Sequence, residues 1–434
     1  EDFVAALATI DPRINDFLAW YKQPATPVLS GHYTYDDKGV GIHLSQATRQ
    51  VEGYPAPKAL PIPVAVAVFD KATGQLLTQD TLLLDKDKDS FYLDVDMTDR
   101  EPLVSVLRGF SAPVLLNFDY SDEELAALVR FETDGFNRWQ AMQSLVNRYL
   151  FDKLEDATII SDALMSAVDE LIETDPMLAA RLFDIPSEKE LAAGIDKDYE
   201  PLAIKTRRDG LKSKIASALA HKLDAWYMAL PISAYEDTPK AMGVRALRNV
   251  LLMLIAQNNQ EAAETLAVAQ YTQAQCMSER FGALSAMVHY NLPSKQTYLA
   301  QFYDAFSDEA LVIDNWFMVQ AASDKATIHD IQALMALPTF DWEVPNRIRS
   351  VLGQIAMRPV LLWGDGLMVY LSAITRLDGS NPQVAARLLG GLSRWYTLAQ
   401  AQKQTVHQAL TAFVKTVHSK DVLEVAHKLL SADK

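Results

Sequence analysis

The spacing of hydrophobic residues changes once along the chain, near residue 120. Before that point, from about Thr26, short apolar runs alternate with turn-forming residues, and the run VAVAVF at residues 64–69 is typical of a β-strand. After Tyr120, hydrophobic residues recur at helical spacing to the end of the chain. The pattern therefore predicts a β region followed by a longer helical region.

The β region contains seven short candidate strands, which turn-rich segments separate. That many short strands in fewer than roughly 100 residues are typical of a small Ig-like antiparallel β-sandwich. Ala72, Thr73 and Gly74 supply a turn between two of the strands and predict a hairpin. The candidate strands are residues 28–29, 41–45, 64–69, 75–84, 91–95, 103–107 and 114–118.

The helical region carries local signals for helix starts. Ser121 with Glu124 has the capping-box pattern, and residues 187–190 repeat it. Asp175 and Asn381 each precede a proline that suits a first helical position. Because amphipathic segments of helix length follow one another over some 300 residues, we expect an all-α superhelix of HEAT or armadillo type, although no clean repeat of about 40 residues is visible. The clearest segments are residues 137–150, 162–172, 202–230 and 240–256.

Three segments are therefore predicted. Residues 1–24 form a helical lead-in, because Phe3, Val4 and Leu7 share one helical face and the spacing resumes after Pro12. Residues 25–120 form the β-sandwich domain, and residues 121–434 form the helical superhelix.

Composition restricts the classes of function. The chain has 434 residues, a formal net charge of −16 and a pI of about 5.0, which argues against a nucleic-acid-binding surface. No apolar run reaches the roughly 18 residues that a membrane span needs. Cys276 is the single cysteine, so neither an intramolecular disulfide nor a cysteine zinc cage is possible, and a reducing, cytoplasmic compartment is expected.

No catalytic or metal motif is visible in the residues themselves. A helical zinc site would need two histidines four residues apart, and none of the eight histidines are so spaced. His407 and His418 could share a helical face, but eleven residues of helix would place them about 16 Å apart. A nucleophile elbow and a phosphate-binding glycine loop are also missing from the sequence. The residues alone predict a two-domain β-plus-α protein without a visible catalytic centre.

Several local strings resemble a known family in its own order. The chain contains FSAPV, FNRWQAMQSL, DNWFMVQA, PNRIRS and NPQVAARL at residues 110–114, 136–145, 314–321, 345–350 and 381–388. These strings resemble segments of the small β domain and the helical domain of bacterial members of the aminopeptidase N family, which are zinc aminopeptidases. The first residues, with Trp20 and Tyr21, resemble the last helices of the catalytic domain of that family.

The resemblance implies a part of a larger enzyme. In the family, a thermolysin-like zinc domain precedes the small β-sandwich and the helical domain, so residues 1–24 would be a helical remnant of the catalytic domain. The His-Glu-x-x-His zinc helix of the family has no counterpart in this sequence. The parent protein is therefore expected to remove N-terminal residues from peptides with zinc, while this chain alone is expected to hold no zinc and to be inactive. Its expected partners are peptides and the upstream catalytic domain.

The resemblance also assigns substrate-binding residues. The family pattern points to Arg349 in PNRIRS, and to Gln383 and Arg387 in NPQVAARL, as contacts on the concave face for the distal part of a peptide. Gln383 and Arg387 are four residues apart, so one helical face presents both. The competing interpretation is that the two arginines pair with acidic neighbours and hold helices together. That structural role is favoured for Arg347, and likewise for residues 245 and 248.

Two other functions are alternatives to closing the substrate cavity of a peptidase. A helical solenoid could bind a protein partner, with the sandwich as a spacer. Carbohydrate binding by the sandwich would require exposed aromatic side chains on one β face, and residues 26–120 contain no tryptophan.

Overall fold

The computed structural model describes residues 2–432. Glu1, the first residue of the predicted lead-in, and the last two residues of the predicted superhelix lie outside the described residues. The chain forms two compact units, residues 1–183 and 184–434. The predicted segment boundaries at residues 24 and 120 stay predictions, whereas the order of the architecture, a small β-sandwich followed by a large helical region, is confirmed.

Each of the seven candidate strands corresponds to a strand of the structure. The strands are β1 (Val28–Asp36), β2 (Gly39–Ala47), β3 (Ile62–Asp70), β4 (Leu76–Leu84), β5 (Lys88–Asp94), β6 (Pro102–Val106) and β7 (Leu115–Phe118). They form one sheet of order β5-β2-β1-β7 and a second of order β4-β3-β6. Most neighbours run antiparallel, but β7 runs parallel to β1, a pairing that the hydrophobic pattern did not predict.

Strand β1 extends beyond the two predicted residues. The hydrophobic pattern did not reveal its second half because most of those side chains are exposed. It continues to Asp36, whose side chain accepts hydrogen bonds from the backbone of Lys38 and Gly39 and so closes the turn into β2. His32 lies opposite His43 in the register of this hairpin. A two-residue turn of this kind fixes the register of the strands that it joins.

The core of the sandwich consists of aliphatic side chains from both sheets. Leu29 and Ile42 come from the four-stranded sheet, and Val64, Leu84 and Val104 come from the three-stranded sheet. All five are fully buried. Alternation of inward apolar and outward polar residues along each strand accounts for this arrangement.

The remaining elements of the first unit are helical. Ser121 and Glu124 form the predicted capping box, and Asp175 caps the helix that begins at Pro176. Asn137 donates hydrogen bonds from its side chain to the carbonyl of Val106 and the hydroxyl of Ser105, which fixes a helix against the sandwich. The helices are α1 (Asp2–Ala8), α2 (Ala19–Lys22), α3 (Asp122–Phe131), α4 (Gly135–Leu150), α5 (Thr158–Thr174) and α6 (Pro176–Leu182), with a 3₁₀ helix at Pro12–Leu18.

The second unit is helical throughout its elements. Its predicted capping box at Ser187 and Glu190 and the predicted cap at Asn381 are both confirmed. Its first helices are α7 (Glu188–Ala193), α8 (Pro201–Met228), α9 (Pro239–Asn258), α10 (Gln260–Gln273), α11 (Met277–His289), α12 (Lys295–Phe306) and α13 (Ala310–Ala321). They are followed by α14 (Ile328–Ala336), α15 (Pro345–Met357), α16 (Pro359–Leu362), α17 (Gly366–Asp378), α18 (Pro382–Leu389), α19 (Gln400–Phe413) and α20 (Lys420–Ser431).

Helices of the second unit pack mainly on their neighbours in sequence. Helix α8 packs on α9, α9 on α10, and α10 on α11, as expected for stacked helical repeats. The unit also has long-range contacts, since α16 touches α8 and Tyr199 forms a parallel bridge with Leu398. These contacts bring late segments of the unit against its first segments.

Candidate functional site

Two arginines of helix α15 have opposite environments. Arg347 points inward, and its Nε atom lies 2.6 Å from Oδ1 of Asp314. Arg349 is exposed and donates a hydrogen bond only to its helical neighbour Asn346 among the described residues. Two positions along a helix differ by roughly 200° in direction, so a buried residue and an exposed residue follow directly from the helical period. The structure therefore separates a helix-fixing arginine from an accessible one.

Helix α18 presents the other two predicted residues. Gln383 and Arg387 are exposed on one face, while Ala385, Leu388 and Leu389 are buried on the other. Asn381 caps the helix by accepting a hydrogen bond from the backbone of residue 384, which sets the start of the helix and the direction of these side chains. The predicted sharing of a face by the pair is confirmed.

The two helices that carry the three predicted residues pack against each other. Within residues 2–432, neither Arg349 nor Arg387 takes part in an ion pair. By contrast, Arg248 is buried and hydrogen bonds to Gln270 and to the carbonyl of Leu230. The pairing with acidic neighbours that would mark a purely structural role is thus observed for Arg347 but not for the two candidate arginines.

A charged cavity of about 780 Å³ lies within the second unit. The cavity is lined by helices α7, α8, α9 and α15. The residues at the end of α11 and those that follow α13 complete its wall. Its ionisable side chains are Glu188, Lys205, Arg208, Asp209, Lys212, His289, Tyr290, Asp324, Lys325 and Arg358. We refer to it as the charged cavity. The sequence pattern did not predict this cavity, although residues 205, 208, 209 and 212 are spaced so that one face of a helix presents four charges.

Ion pairs and carbonyl contacts hold the cationic groups of the charged cavity. Lys205 Nζ lies 2.5 Å from Asp209 Oδ2, one helical turn away. Lys212 Nζ lies 3.9 Å from Asp324 Oδ2, a long separation for an ion pair. Arg358 donates to the carbonyl of Ala326 at 2.8 Å. The cations are therefore positioned partly by carboxylates and partly by neutral carbonyl groups.

Burial in the cavity shifts the pKa values of several side chains. Burial, together with the nearby charge of Arg208, lowers the pKa of Lys212. Burial also lowers the pKa of His289, and it raises the pKa of the Glu188 carboxyl. It raises the pKa of Tyr290 to about 12, with a further contribution from Asp324. Solvent reaches the cavity, since the Lys212 and Asp324 side chains remain 31% and 41% exposed, yet the surrounding protein reduces their hydration.

Asp324 behaves differently from Glu188 because cations surround it. Burial alone would raise its pKa, but the charges of Lys212, Lys205 and Arg208 outweigh burial and lower the pKa of this carboxyl. Asp324 is therefore ionised at neutral pH. Glu188 is 6% exposed, and its Oε2 atom has no hydrogen-bond partner within the described residues. The cavity thus contains both a firmly charged carboxylate and a poorly stabilised one.

Helix α15 carries both Arg349 and part of the wall of the charged cavity. Met357 lies eight residues after Arg349 on this helix, is exposed and lines the cavity, and its direction differs from that of Arg349 by roughly 80°. Eight residues of α-helix correspond to about 12 Å along the helix axis. The accessible arginine and part of the cavity wall therefore belong to the same helix.

The described residues do not provide a zinc site. No three histidine, cysteine, aspartate or glutamate side chains between residues 2 and 432 are placed so that they could share a metal ion. His32 and His43 stack with ring centroids 4.7 Å apart, but His43 hydrogen bonds through its ring nitrogens to Thr34 and Ser90. Cys276 is half-buried and directly precedes α11.

None of the helices in the described part of the chain combines the length and the apolar character that a membrane span requires. The charged residues of α8 illustrate why, because they interrupt the longest helix of the second unit.

Comparison with known proteins agrees with this architecture. Residues 25–119 match the family model "Domain of unknown function (DUF3458) Ig-like fold", and residues 122–431 match "Domain of unknown function (DUF3458_C) ARM repeats". The chain is 31% identical to aminopeptidase N of Haemophilus influenzae over 99% of its own length and 52% of that protein. It is 30% identical to aminopeptidase N of Escherichia coli over 94% of its length and 49% of that protein.

A solved structure shows the same fold. The crystal structure of Legionella pneumophila aminopeptidase A in complex with aspartic acid matches 96% of this chain and 50% of that chain, with a TM-score of 0.79 and 23% sequence identity. The chain spans about half the length of the curated relatives that it matches. Because the ARM-repeat model alone covers most of the sequence, this chain belongs to the DUF3458 family, as a relative of bacterial aminopeptidase N that carries the Ig-like and ARM-repeat domains.

Proposed function

We propose that this chain is the non-catalytic C-terminal part of a zinc-dependent aminopeptidase, in which the helical domain closes the substrate cavity and contacts the distal part of a bound peptide. The relatives named aminopeptidase N support the peptidase assignment. The residues that would contact peptide are Arg349, Gln383 and Arg387. Zinc and the bond-breaking residues belong to the rest of the parent protein in this proposal, and the single cysteine fits a cytoplasmic location.

The observation that carries the proposal is the accessibility of Arg387. It is exposed beside Gln383, and no ion pair engages it within the described residues, whereas Arg347 of the same unit is buried and paired. A guanidinium offers a planar fork of donors that suits the carbonyl oxygens and the terminal carboxylate of a peptide. An arginine that the fold does not use is available for such a ligand.

The test requires the full-length parent, since the contact forms only on a peptide held at the catalytic centre. Arg387→Ala removes a charge-assisted hydrogen bond worth about 1.5–3 kcal/mol. We expect KM to rise by about tenfold or more for peptides of three or more residues. Chromogenic amides of a single amino acid do not extend to this residue, so their kinetics should change little.

Two controls separate binding from folding. Arg49→Ala removes an exposed arginine of the sandwich domain and should change neither substrate class. The melting temperature of Arg387→Ala should equal that of the wild type. Equal loss of activity on short and long substrates, together with a lower melting temperature, would show a structural role and contradict the proposal.

A further inference from the structure

One face of helix α8 directs several cations into the charged cavity. Lys205, Arg208 and Lys212 follow one another at spacings of three and four residues and therefore share that face. Arg358, which directly follows α15, lines the same cavity. The fold thus brings together positive charges that are about 150 residues apart in sequence.

The charges of the cavity do not balance. Five lysine and arginine side chains line it, but only three carboxylates, those of Glu188, Asp209 and Asp324. The excess of two positive charges contrasts with a net charge of −16 for the whole chain. A cavity wall with an excess of one sign of charge and with reduced hydration attracts ions of the opposite sign. The local charge therefore favours an anion over a cation.

The cations are also neutralised incompletely. Arg208 is held by the carbonyl of Pro186 at 2.8 Å, and Arg358 by the carbonyls of Ala321 and Ala326. Carbonyl groups accept hydrogen bonds but carry no net charge. The carboxylate nearest to Lys212 is 3.9 Å from its ammonium group. Like charges kept together in a partly dehydrated space raise the free energy of the empty cavity, and an anion would lower it.

The pKa shifts of two of these cations have the direction that burial of like charges is expected to cause. Burial lowers the pKa of Lys212 and of Arg358, so the protein surroundings disfavour the charged forms of both groups. A negative ligand next to them would favour the charged forms again. The pKa of Lys212 should consequently rise when an anion binds.

We propose that the charged cavity is a binding site for a small oxyanion, a phosphate or carboxylate group, held by Lys212, Arg208 and Arg358. A volume of about 780 Å³ exceeds what one such group needs, so the group can belong to a larger molecule or enter with its water. This site goes beyond the proposed peptide contacts of Arg349, Gln383 and Arg387. It depends only on residues of the second unit.

Calorimetric titration of the 434-residue chain tests the proposal with three probes at constant ionic strength. Inorganic phosphate represents a free oxyanion, and an N-acetylated dipeptide with a free carboxylate represents a peptide end. The same dipeptide as its C-terminal amide lacks the negative charge. We expect a dissociation constant in the range of about 0.1–10 mM for phosphate, for the free-acid dipeptide, or for both, and no binding of the amide.

Substitution locates the site. Lys212→Gln should weaken binding by about tenfold, because it removes a charge-assisted contact of about 1.4 kcal/mol or more. Lys325→Gln, at the exposed rim of the cavity, should weaken binding less. Lys428→Gln, on the exposed face of α20, makes the same change of charge outside the cavity and should leave binding unchanged. Thermal unfolding of each variant reports whether the fold is retained.

The outcomes are distinguishable. Binding of phosphate alone identifies a free oxyanion as the ligand, whereas binding of the free-acid dipeptide alone identifies a carboxylate of a peptide. No binding of either probe at 10 mM, or equal loss in Lys212→Gln and Lys428→Gln, would overturn the proposal. Because this titration needs no catalytic activity, its result is independent of the kinetic test of Arg387.

Discussion

Arg347 and Asp314 form a buried ion pair between helices α15 and α13, with Nε and Oδ1 separated by 2.6 Å. Their side chains are only 9% and 11% exposed. The guanidinium also donates to the carbonyl of Thr339 and lies 4.8 Å from the ring centroid of Phe317. A buried pair of this kind fixes the geometry of the two helices, because each charge needs the other once water is excluded.

Loss of one partner of this pair should destabilise the chain strongly. Arg347→Met leaves the carboxylate of Asp314 buried without a counter-charge, at an expected cost of about 3–5 kcal/mol in the free energy of unfolding. Arg349→Ala, two residues along the same helix, should cost less than about 0.5 kcal/mol because its side chain is exposed. Urea unfolding measures both. Equal effects of the two substitutions would contradict the assignment of Arg347 as structural and Arg349 as available for binding.

The buried side chain of Gln46 should contribute strongly to the stability of the sandwich core. It is 8% exposed, donates to the carbonyls of Leu60 and Lys86 at 2.8 and 3.0 Å, and accepts from the backbone of Leu60 at 2.8 Å. Gln46→Leu keeps the approximate shape but leaves buried backbone groups unpaired, so we expect a loss of about 2–4 kcal/mol. Ser45→Ala, exposed on the opposite face, should change stability by less than about 0.5 kcal/mol. A stable Gln46→Leu variant would show that water replaces these hydrogen bonds.

Asp378 should contribute stability that depends on pH. Burial alone would raise its pKa, but hydrogen bonds from the Ser419 hydroxyl and from the backbone of His418 and Ser419 outweigh burial and lower the pKa. Because the folded pKa lies below the unfolded value of about 3.9, the stabilisation is fully present above that value and is lost as pH falls through the folded pKa. Asp378→Asn should therefore cost about 1–3 kcal/mol at pH 7 and much less near pH 3.

The control for this pH dependence is Asp304→Asn. Asp304 is exposed, so the same chemical change should give almost the same unfolding free energy as the wild type at both pH values. A difference between wild type and Asp378→Asn that stays constant from pH 7 to pH 3 would contradict the role of the ionised carboxylate.

The isolated chain should be catalytically inactive. Its sequence lacks the His-Glu-x-x-His pattern that supplies two zinc ligands and a general base in zinc peptidases of this type. We expect no release of amino acid from an alanyl chromogenic substrate, and no stoichiometric zinc after dialysis, as measured by absorbance and by metal analysis. Zinc-dependent turnover by the purified chain that a chelator abolishes would refute the assignment as a non-catalytic part.

Local sequence signals determined most of the secondary structure. A capping box such as Ser121 with Glu124 acts within four residues, and the alternation in residues 64–69 acts within one strand, so both can be recognised without knowledge of the fold. The strings around Arg349 and Arg387 identified the family for the same reason, since each is a continuous segment. Helical spacing also placed Gln383 and Arg387 on one face.

Only the tertiary structure decided which of these residues meet. The strand at residues 115–118 pairs in parallel with β1, some 85 residues earlier, and no local pattern specifies that partner. Helical period separates Arg347 from Arg349, but packing against Asp314 selects the one that is buried. The charged cavity brings together Lys212, Asp324 and Arg358 from distant helices. Propensity and capping act over a few residues, whereas burial and ion pairing depend on the whole packed unit, and so the sequence pattern alone did not predict this cavity.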